Sequence, residues 1–234
     1  MSGDFPLRMR DHAPASQALS AVVLVRDELQ FHLGLLRSAE PPEHVLHLAW
    51  HRILRDEPLQ KVIVQNERVL PSAAILLALD PVIDEALRFL AQRVARKHAN
   101  RWGDLAYGFG PTDTTFQQQT GKPTDPDAAF TCATFVLALL RSVGIQLVDA
   151  ARWRTPTEED MHWQRTIGKQ LLDWIAQKIH GDLPRMQARV ERDIGSLRFR
   201  PTDVAGAACC AADTWPVGAN NVDPHAQSLI SRLS

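Results

Sequence analysis

The chain has 234 residues, of which 45% are hydrophobic and 23% charged, so it can form a sizeable core and is not a wholly disordered protein. The 26 lysines and arginines and 27 aspartates and glutamates leave a formal net charge of −1. The chain therefore has neither the net positive charge that is typical of nucleic-acid-binding proteins nor the basic cluster of proteins that bind membrane surfaces.

The sequence predicts a cytoplasmic protein. Its longest clean apolar run, residues 73–79, is too short to cross a bilayer, and residues 1–20 contain no apolar core of a signal peptide. Three cysteines are too few for a disulfide framework, which favours a reducing compartment. Delivery into another cell by a secretion machine stays open.

The first third of the chain predicts a small antiparallel sheet after a polar leader, residues 1–20. Short runs of apolar and β-branched residues, separated by turn and proline signals, are expected to form the strands. These runs are residues 21–25, 29–36, 45–50 and 61–64. Residues 73–79 fit either a strand or a buried helix.

Helices are predicted for most of the remaining chain, from capping residues and apolar stripes at helical spacing. Their expected starts are Asp80, Cys132, Thr157 and Asp182. Residues 151–199 should therefore form a helical elaboration packed on the domain of residues 21–150. Residues 200–234, rich in Ala, Pro, Gly and Asn, predict an irregular surface tail through which a protein partner could bind.

Cys132 is the first candidate for chemistry. It follows a long loop, residues 102–127, and stands in the first turn of a predicted helix. Free backbone N–H groups and the helix dipole at that position favour a thiolate, the nucleophile of cysteine enzymes. The alternative is a core role, because Cys132 also begins the apolar stripe of its helix.

A cysteine nucleophile needs a base, and histidines cluster in the predicted sheet. If Arg37 pairs with His44 across a hairpin, then His32, His47 and His51 share one face and His44 points to the other. That face could supply an imidazole base and a second imidazole that orients it. No carboxylate or second cysteine at ligand spacing accompanies the cluster, so no metal and no other cofactor is expected.

The chain resembles the NlpC-like branch of the papain-like cysteine peptidases and amidases in three segments. They are residues 31–35 (FHLGL), 45–48 (VLHL) and 130–136 (FTCATFV). The cysteine usually comes first in that family, whereas here it comes last. This order resembles the circularly permuted subgroup, which includes relatives of lecithin retinol acyltransferase, although Thr131 stands where the acyltransferase signature has Asn.

The resemblance implies an α+β papain-like domain, residues 21–150, with an antiparallel sheet packed on helices. It implies Cys132 as the nucleophile, His32 as the general base and His47 as the orienting residue, with His51 as the alternative third member. Tyr107 and Thr131 lie in the preceding loop and at the helix start, where they could contact the oxyanion or the substrate.

The implied activity is cysteine-dependent hydrolysis of an amide bond, in a peptide, isopeptide or cell-wall peptide, through an acyl-enzyme. The expected partner is the peptide or other amide substrate, with no nucleic acid and no membrane. Two alternatives remain. One is acyl transfer by the same fold, and the other is a non-catalytic binding or adaptor protein in which His32 and Cys132 are core residues.

Overall fold

The computed structural model describes residues 20–27, 30–37, 43–65, 68–110, 113–179 and 183–234. Apart from Ser20, the predicted leader lies outside the described residues, as does the predicted helix start Asp182.

The described residues form an α+β fold with nine strands and seven helices. The strands are β1 (Ala21–Arg26), β2 (Phe31–Leu36), β3 (His44–Trp50), β4 (Ile53–Pro58), β5 (Val64–Gln65), β6 (Arg68–Val69), β7 (Ser72–Leu76), β8 (Ala106–Tyr107) and β9 (Ala129–Phe130). The helices are α1 (Leu59–Ile63), α2 (Pro81–His98), α3 (Cys132–Ser142), α4 (Glu158–Lys178), α5 (Leu183–Asp193), α6 (Pro201–Cys209) and α7 (Ala219–Leu233).

The main sheet is antiparallel and five-stranded, in the order β4-β3-β2-β1-β7. Its interior strand β1, between β2 and β7, reads AVVLVR without polar alternation because both of its faces are buried. Val22 and Leu24 belong to the larger core, which the long helices share, whereas Val23 and Val25 pack in a smaller core with Val62 of α1. The sheet therefore has one face covered by α2, α3 and α6 and another covered by the short α1 and its neighbours.

Three predicted helix starts are confirmed, each by a capping side chain. The Asp80 carboxylate accepts from the Val82 N–H at 2.9 Å, with Pro81 as the first helical residue of α2. Thr131 and Thr157 form capping boxes at the starts of α3 and α4. Each cap satisfies backbone N–H groups that the helix itself leaves unpaired.

The strand predicted over residues 61–64 is wrong, because α1 occupies most of it and only Val64 begins a strand. The strand β4 was not predicted. Its outer edge has no partner in the main sheet, so it tolerates charged residues that hide the strand pattern. Residues 73–79 are mainly strand, since β7 covers the first part of them.

The irregular tail predicted for residues 200–234 is also wrong, because α6 and α7 span most of it. Helix α6 is buried against the sheet and against α7. A Cβ placed on Gly206 would lie 3.0 Å from the Ala226 nitrogen, so the small residues of α6 allow close helix packing. The small residues that suggested a loop therefore serve instead to let α6 and α7 pack closely. A protein partner at this segment stays a prediction.

None of the helices in the described ranges combines the length and the apolar character needed to cross a membrane.

Candidate active site

A cavity opens at the end of the sheet where β2 begins and β3 ends. Cys132 and His32 both line it. Aromatic side chains make up much of its wall, and two guanidinium groups from the segment before α6 complete it. These further lining residues include Trp50, Tyr107, Trp163, Arg198 and Arg200. The structure thus places the predicted nucleophile and base at the same cavity, although a hundred residues of sequence separate them.

Cys132 is held in place by the start of α3. The Thr131 hydroxyl accepts from the Thr134 N–H at 3.2 Å, and the Thr134 hydroxyl accepts from the Thr131 N–H at 2.8 Å. This reciprocal pair fixes the first turn of the helix and therefore the direction of the Cys132 side chain. Thr131 also lines the cavity, so its cap and its predicted substrate contact are compatible.

The hairpin of β2 and β3 has the predicted register. Leu35 pairs with Leu46, and the Arg37 N–H donates to the His44 carbonyl at 3.0 Å. In this register His32 and His47 share a face, and the expected contact between them is present. His32 Nε2 lies 2.7 Å from His47 Nδ1, with the two rings nearly perpendicular.

The series of contacts continues to a carboxylate that sequence reasoning missed. His47 Nε2 lies 3.4 Å from Glu57 Oε2, and Lys61 Nζ donates to Glu57 Oε1 at 2.7 Å. With Glu57 accepting from Nε2–H of His47, Nδ1 of that ring accepts from Nε2–H of His32. His32 then carries its basic lone pair on Nδ1. Glu57 could have been found only from the β3–β4 hairpin, which the sequence did not reveal.

The Cys132 thiol lies near the backbone of β2, next to His32. The Asp27 N–H donates to the Gln30 carbonyl. The backbone N–H and C=O groups of Gln30 and of every second residue after it therefore point toward β1, whereas those of Leu33 point toward β3. The ladder between β2 and β3 starts at Leu35, and the Leu33 N–H lies close enough to the Cys132 sulfur to lower the pKa of the thiol. The sulfur therefore lies beside the residue that follows His32.

His32 and His47 lie on the opposite face of the sheet from Cys132. His32 is the cross-strand partner of Val25, which belongs to the smaller core, whereas Cys132 belongs to the larger core under α3. Both residues nevertheless line one cavity, at the end of the sheet where β2 and β3 part. The separation of the two strands is thus what allows groups on opposite faces to share one cavity.

Both reacting groups are neutral at rest. Burial raises the pKa of the Cys132 thiol to about 11, although the N–H groups of Leu33 and Ala133 and the charge of Arg198 act in the opposite direction. Burial, and secondarily the charge of His47, lowers the pKa of His32 to about 3. The expectation that the helix start favours a thiolate is therefore outweighed by desolvation, and a proton must move from sulfur to His32 during attack.

His51, the alternative third member, does not lie against His32. A register shift between Leu48 and Trp50 interrupts the alternation of β3. His51 is buried elsewhere, where its Nδ1 accepts from the Tyr107 N–H at 3.1 Å. His44 points away from the pair, as predicted, and its Nδ1 lies 3.4 Å from Asp56.

Tyr107 is brought to the cavity by a short parallel pairing. It lies opposite Phe130, two residues before Cys132, and its ring packs against Trp50 at 4.8 Å between centroids. Burial raises the pKa of the Tyr107 phenol, and a charge on Cys132 raises it further. The phenol is therefore a neutral donor on the cavity wall beside the thiol.

Arg198 and Trp163 are two further cavity residues that the sequence did not indicate. They come from the region after residue 150, for which the resemblance offered no counterpart. Within the described ranges, no group of three or more His, Cys, Asp or Glu side chains is arranged to hold a metal ion.

Comparison of the chain with family models, with curated proteins and with solved structures finds no match, so the site is interpreted from its own geometry.

We expect the imidazole of His32, which is neutral in the fold, to make the protein sensitive to acid. The pKa of His32 is about 3 in the fold, against an ordinary value of 6.5 for histidine, so the unfolded chain binds its proton first as pH falls. The stability that this group contributes is present above pH 6.5 and is lost toward pH 3. At pH 5 the loss relative to pH 7.5 should be about 1–2 kcal/mol.

Urea unfolding at both pH values measures this loss. His32→Asn should flatten the pH dependence, whereas His162→Asn, at an exposed position on α4, should keep it. An identical pH dependence in wild type and His32→Asn would contradict the neutral state of the half-buried His32 ring.

Proposed function

We propose that the protein is a cysteine-dependent hydrolase of amide bonds, built on a circularly permuted papain-like domain of the NlpC-like type. The observation that carries the proposal is the hydrogen-bonded series His32–His47–Glu57, which ends at the cavity that Cys132 lines. A nucleophile, a base and an orienting group in this order are the elements of acyl-transfer chemistry.

The reaction begins with transfer of the thiol proton from Cys132 to Nδ1 of His32. The sulfur attacks the amide carbonyl, and the tetrahedral intermediate collapses to a thioester as His32 returns the proton to the leaving amine. Water, deprotonated by His32, then attacks the thioester and releases the acid and the free thiol. His47 and Glu57 hold the His32 ring and stabilise its transient positive charge.

The oxyanion of each tetrahedral intermediate would lie near the start of α3. The Cys132 N–H is one of the helix N–H groups without an intrahelical acceptor, and it serves as the first donor. The Tyr107 phenol stays protonated because burial raises its pKa, and it serves as the second donor. Acyl transfer would use the same intermediates with an amine in place of the water.

Trapping the acyl-enzyme tests this function directly. Purified protein is mixed with peptide, isopeptide and peptidoglycan-stem substrates, quenched in acid and analysed by intact mass spectrometry. We expect an acyl adduct on the peptide that carries Cys132, and added amines should divert the product only if acyl transfer occurs. Absence of both adduct and turnover across the panel would favour a binding protein.

The orienting residues should matter less than the base. His47→Ala should lower kcat/KM about tenfold to a hundredfold, and less than His32→Ala does, because the base remains but its tautomer and orientation are no longer fixed. Glu57→Gln should cause a smaller loss, since its contact with His47 is longer at 3.4 Å. Steady-state kinetics on one cleaved amide substrate measures all three.

The matched control is His44→Ala, which removes a histidine from the same strand but from the face that points away from His32. Its kcat/KM should stay close to that of wild type. Equal activity of wild type and His47→Ala would remove His47 from the mechanism.

A further inference from the structure

Arg198 places a positive charge in the wall of the reaction cavity. Its guanidinium stacks on the Trp163 ring, with the central carbon 3.8 Å from the ring centroid, and 16% of its side chain is exposed. It is close enough to Cys132 to lower the pKa of the thiol against the effect of burial. The packing on Trp163 fixes the direction of a planar group that can make two parallel hydrogen bonds to a carboxylate.

Arg198 has no acid of its own, because the carboxylate that pairs with it also pairs with Arg200. Nη1 of Arg198 and Nη2 of Arg200 both donate to the same Asp160 oxygen, at 3.1 and 2.8 Å. The other oxygen of Asp160 accepts from the Thr157 hydroxyl and N–H, at the N-cap of α4. The two guanidinium groups thus share the Asp160 carboxylate, and Arg200 also lies 4.0 Å from the exposed Glu159.

Asp203, the first acid after Arg200 in the chain, is already engaged. Asp203 pairs with Arg154 at 2.5 Å, and its second oxygen accepts from the Arg200 N–H at 3.0 Å. A guanidinium has five N–H donors, and the Nη1 contact to Asp160 accounts for one donor of Arg198. Arg198 therefore keeps donors and charge for a ligand in the cavity.

We infer that the cavity accepts an amide substrate that bears a carboxylate, and that Arg198 binds this carboxylate while the scissile carbonyl lies at Cys132. This inference rests on the proposed function and adds the substrate class. The carboxylate comes either from an acidic side chain or from a chain terminus, since both present the same planar anion to the guanidinium.

Charge-selective alkylation tests the inference without a known substrate. Iodoacetate and iodoacetamide both transfer a carbon to the thiolate with loss of iodide, but only iodoacetate carries a carboxylate. Rates at pH 8.5 are followed by mass spectrometry on the peptide that contains Cys132. We expect Arg198→Met to lower the ratio of the iodoacetate rate to the iodoacetamide rate about fivefold, whereas Arg198→Lys retains most of it.

The matched control is Arg165→Met, at an exposed position on α4, which should leave the ratio unchanged. If Arg198 acted only on the thiol pKa, both rates would change equally and the ratio would stay constant, which would overturn the inference. Iodoacetamide alone tests the proposed function instead, because alkylation should slow in His32→Ala if His32 is the base.

Protection of the wild-type thiol gives a second measurement that does not depend on how a variant folds. N-acetylalanine carries a terminal carboxylate, N-acetylglutamic acid α-amide a side-chain carboxylate, and N-acetylalanine amide none. We expect saturable protection of Cys132 from iodoacetamide by at least one of the two acids, and the better one identifies the source of the anion. Equal protection by the acids and the neutral amide would contradict anion binding.

Discussion

Cys132→Ser is expected to retain the fold and to lose at least about 10³-fold in turnover. The substitution changes one atom at a helix start that Thr131 and Thr134 hold independently of the sulfur. A serine hydroxyl is far less acidic than a thiol, and His32, whose pKa burial already lowers, is too weak a base to activate it. Turnover on a cleaved amide substrate and thermal unfolding measure the two effects separately.

Cys209→Ser is the matched control, because Cys209 is a half-buried cysteine on α6. It does not line the cavity and should retain full activity. Retained turnover in a well-folded Cys132→Ser protein would exclude the acyl-enzyme mechanism. A large loss of stability in that variant would instead indicate that Cys132 serves the core.

The sequence was sufficient wherever a local signal decides the structure. The Asp80 and Thr157 caps lie beside the helices that they start, and the His32–His47 contact follows from strand alternation once the hairpin register is known. The register itself was readable because apolar residues mark both strands.

The sequence failed where a distant contact decides. His51 leaves the shared face because β3 has a register shift, which no residue pattern announces. Glu57 lies on the edge strand β4, whose charged residues do not show the apolar pattern by which a strand is recognised. Arg198 is 66 residues after Cys132 in the chain, and it lies in the same cavity only because the C-terminal helices pack on the sheet. The reaction cavity thus combines locally encoded histidines with tertiary contacts that have no sequence signature.

Gly34→Ala is expected to destabilise the fold by about 2–3 kcal/mol and to reduce activity as well. A Cβ at position 34 would lie 2.4 Å from Val45 Cγ1 and 3.1 Å from the Cβ of His47. The first contact requires Val45 or the strand itself to shift, and the second presses on the histidine that orients His32. Urea unfolding and steady-state kinetics on one substrate measure both consequences.

Adding Val45→Ala to Gly34→Ala separates the two contacts. Removal of Cγ1 relieves the 2.4 Å contact, so the double variant should be more stable than the sum of the single changes predicts, by about 1 kcal/mol or more. Its activity should stay low, because the 3.1 Å contact with His47 remains and still displaces the ring that receives the His32 hydrogen bond. Wild-type stability of Gly34→Ala would show that β2 and β3 do not approach so closely. Full recovery of activity in the double variant would show that the position of His47 does not limit the reaction.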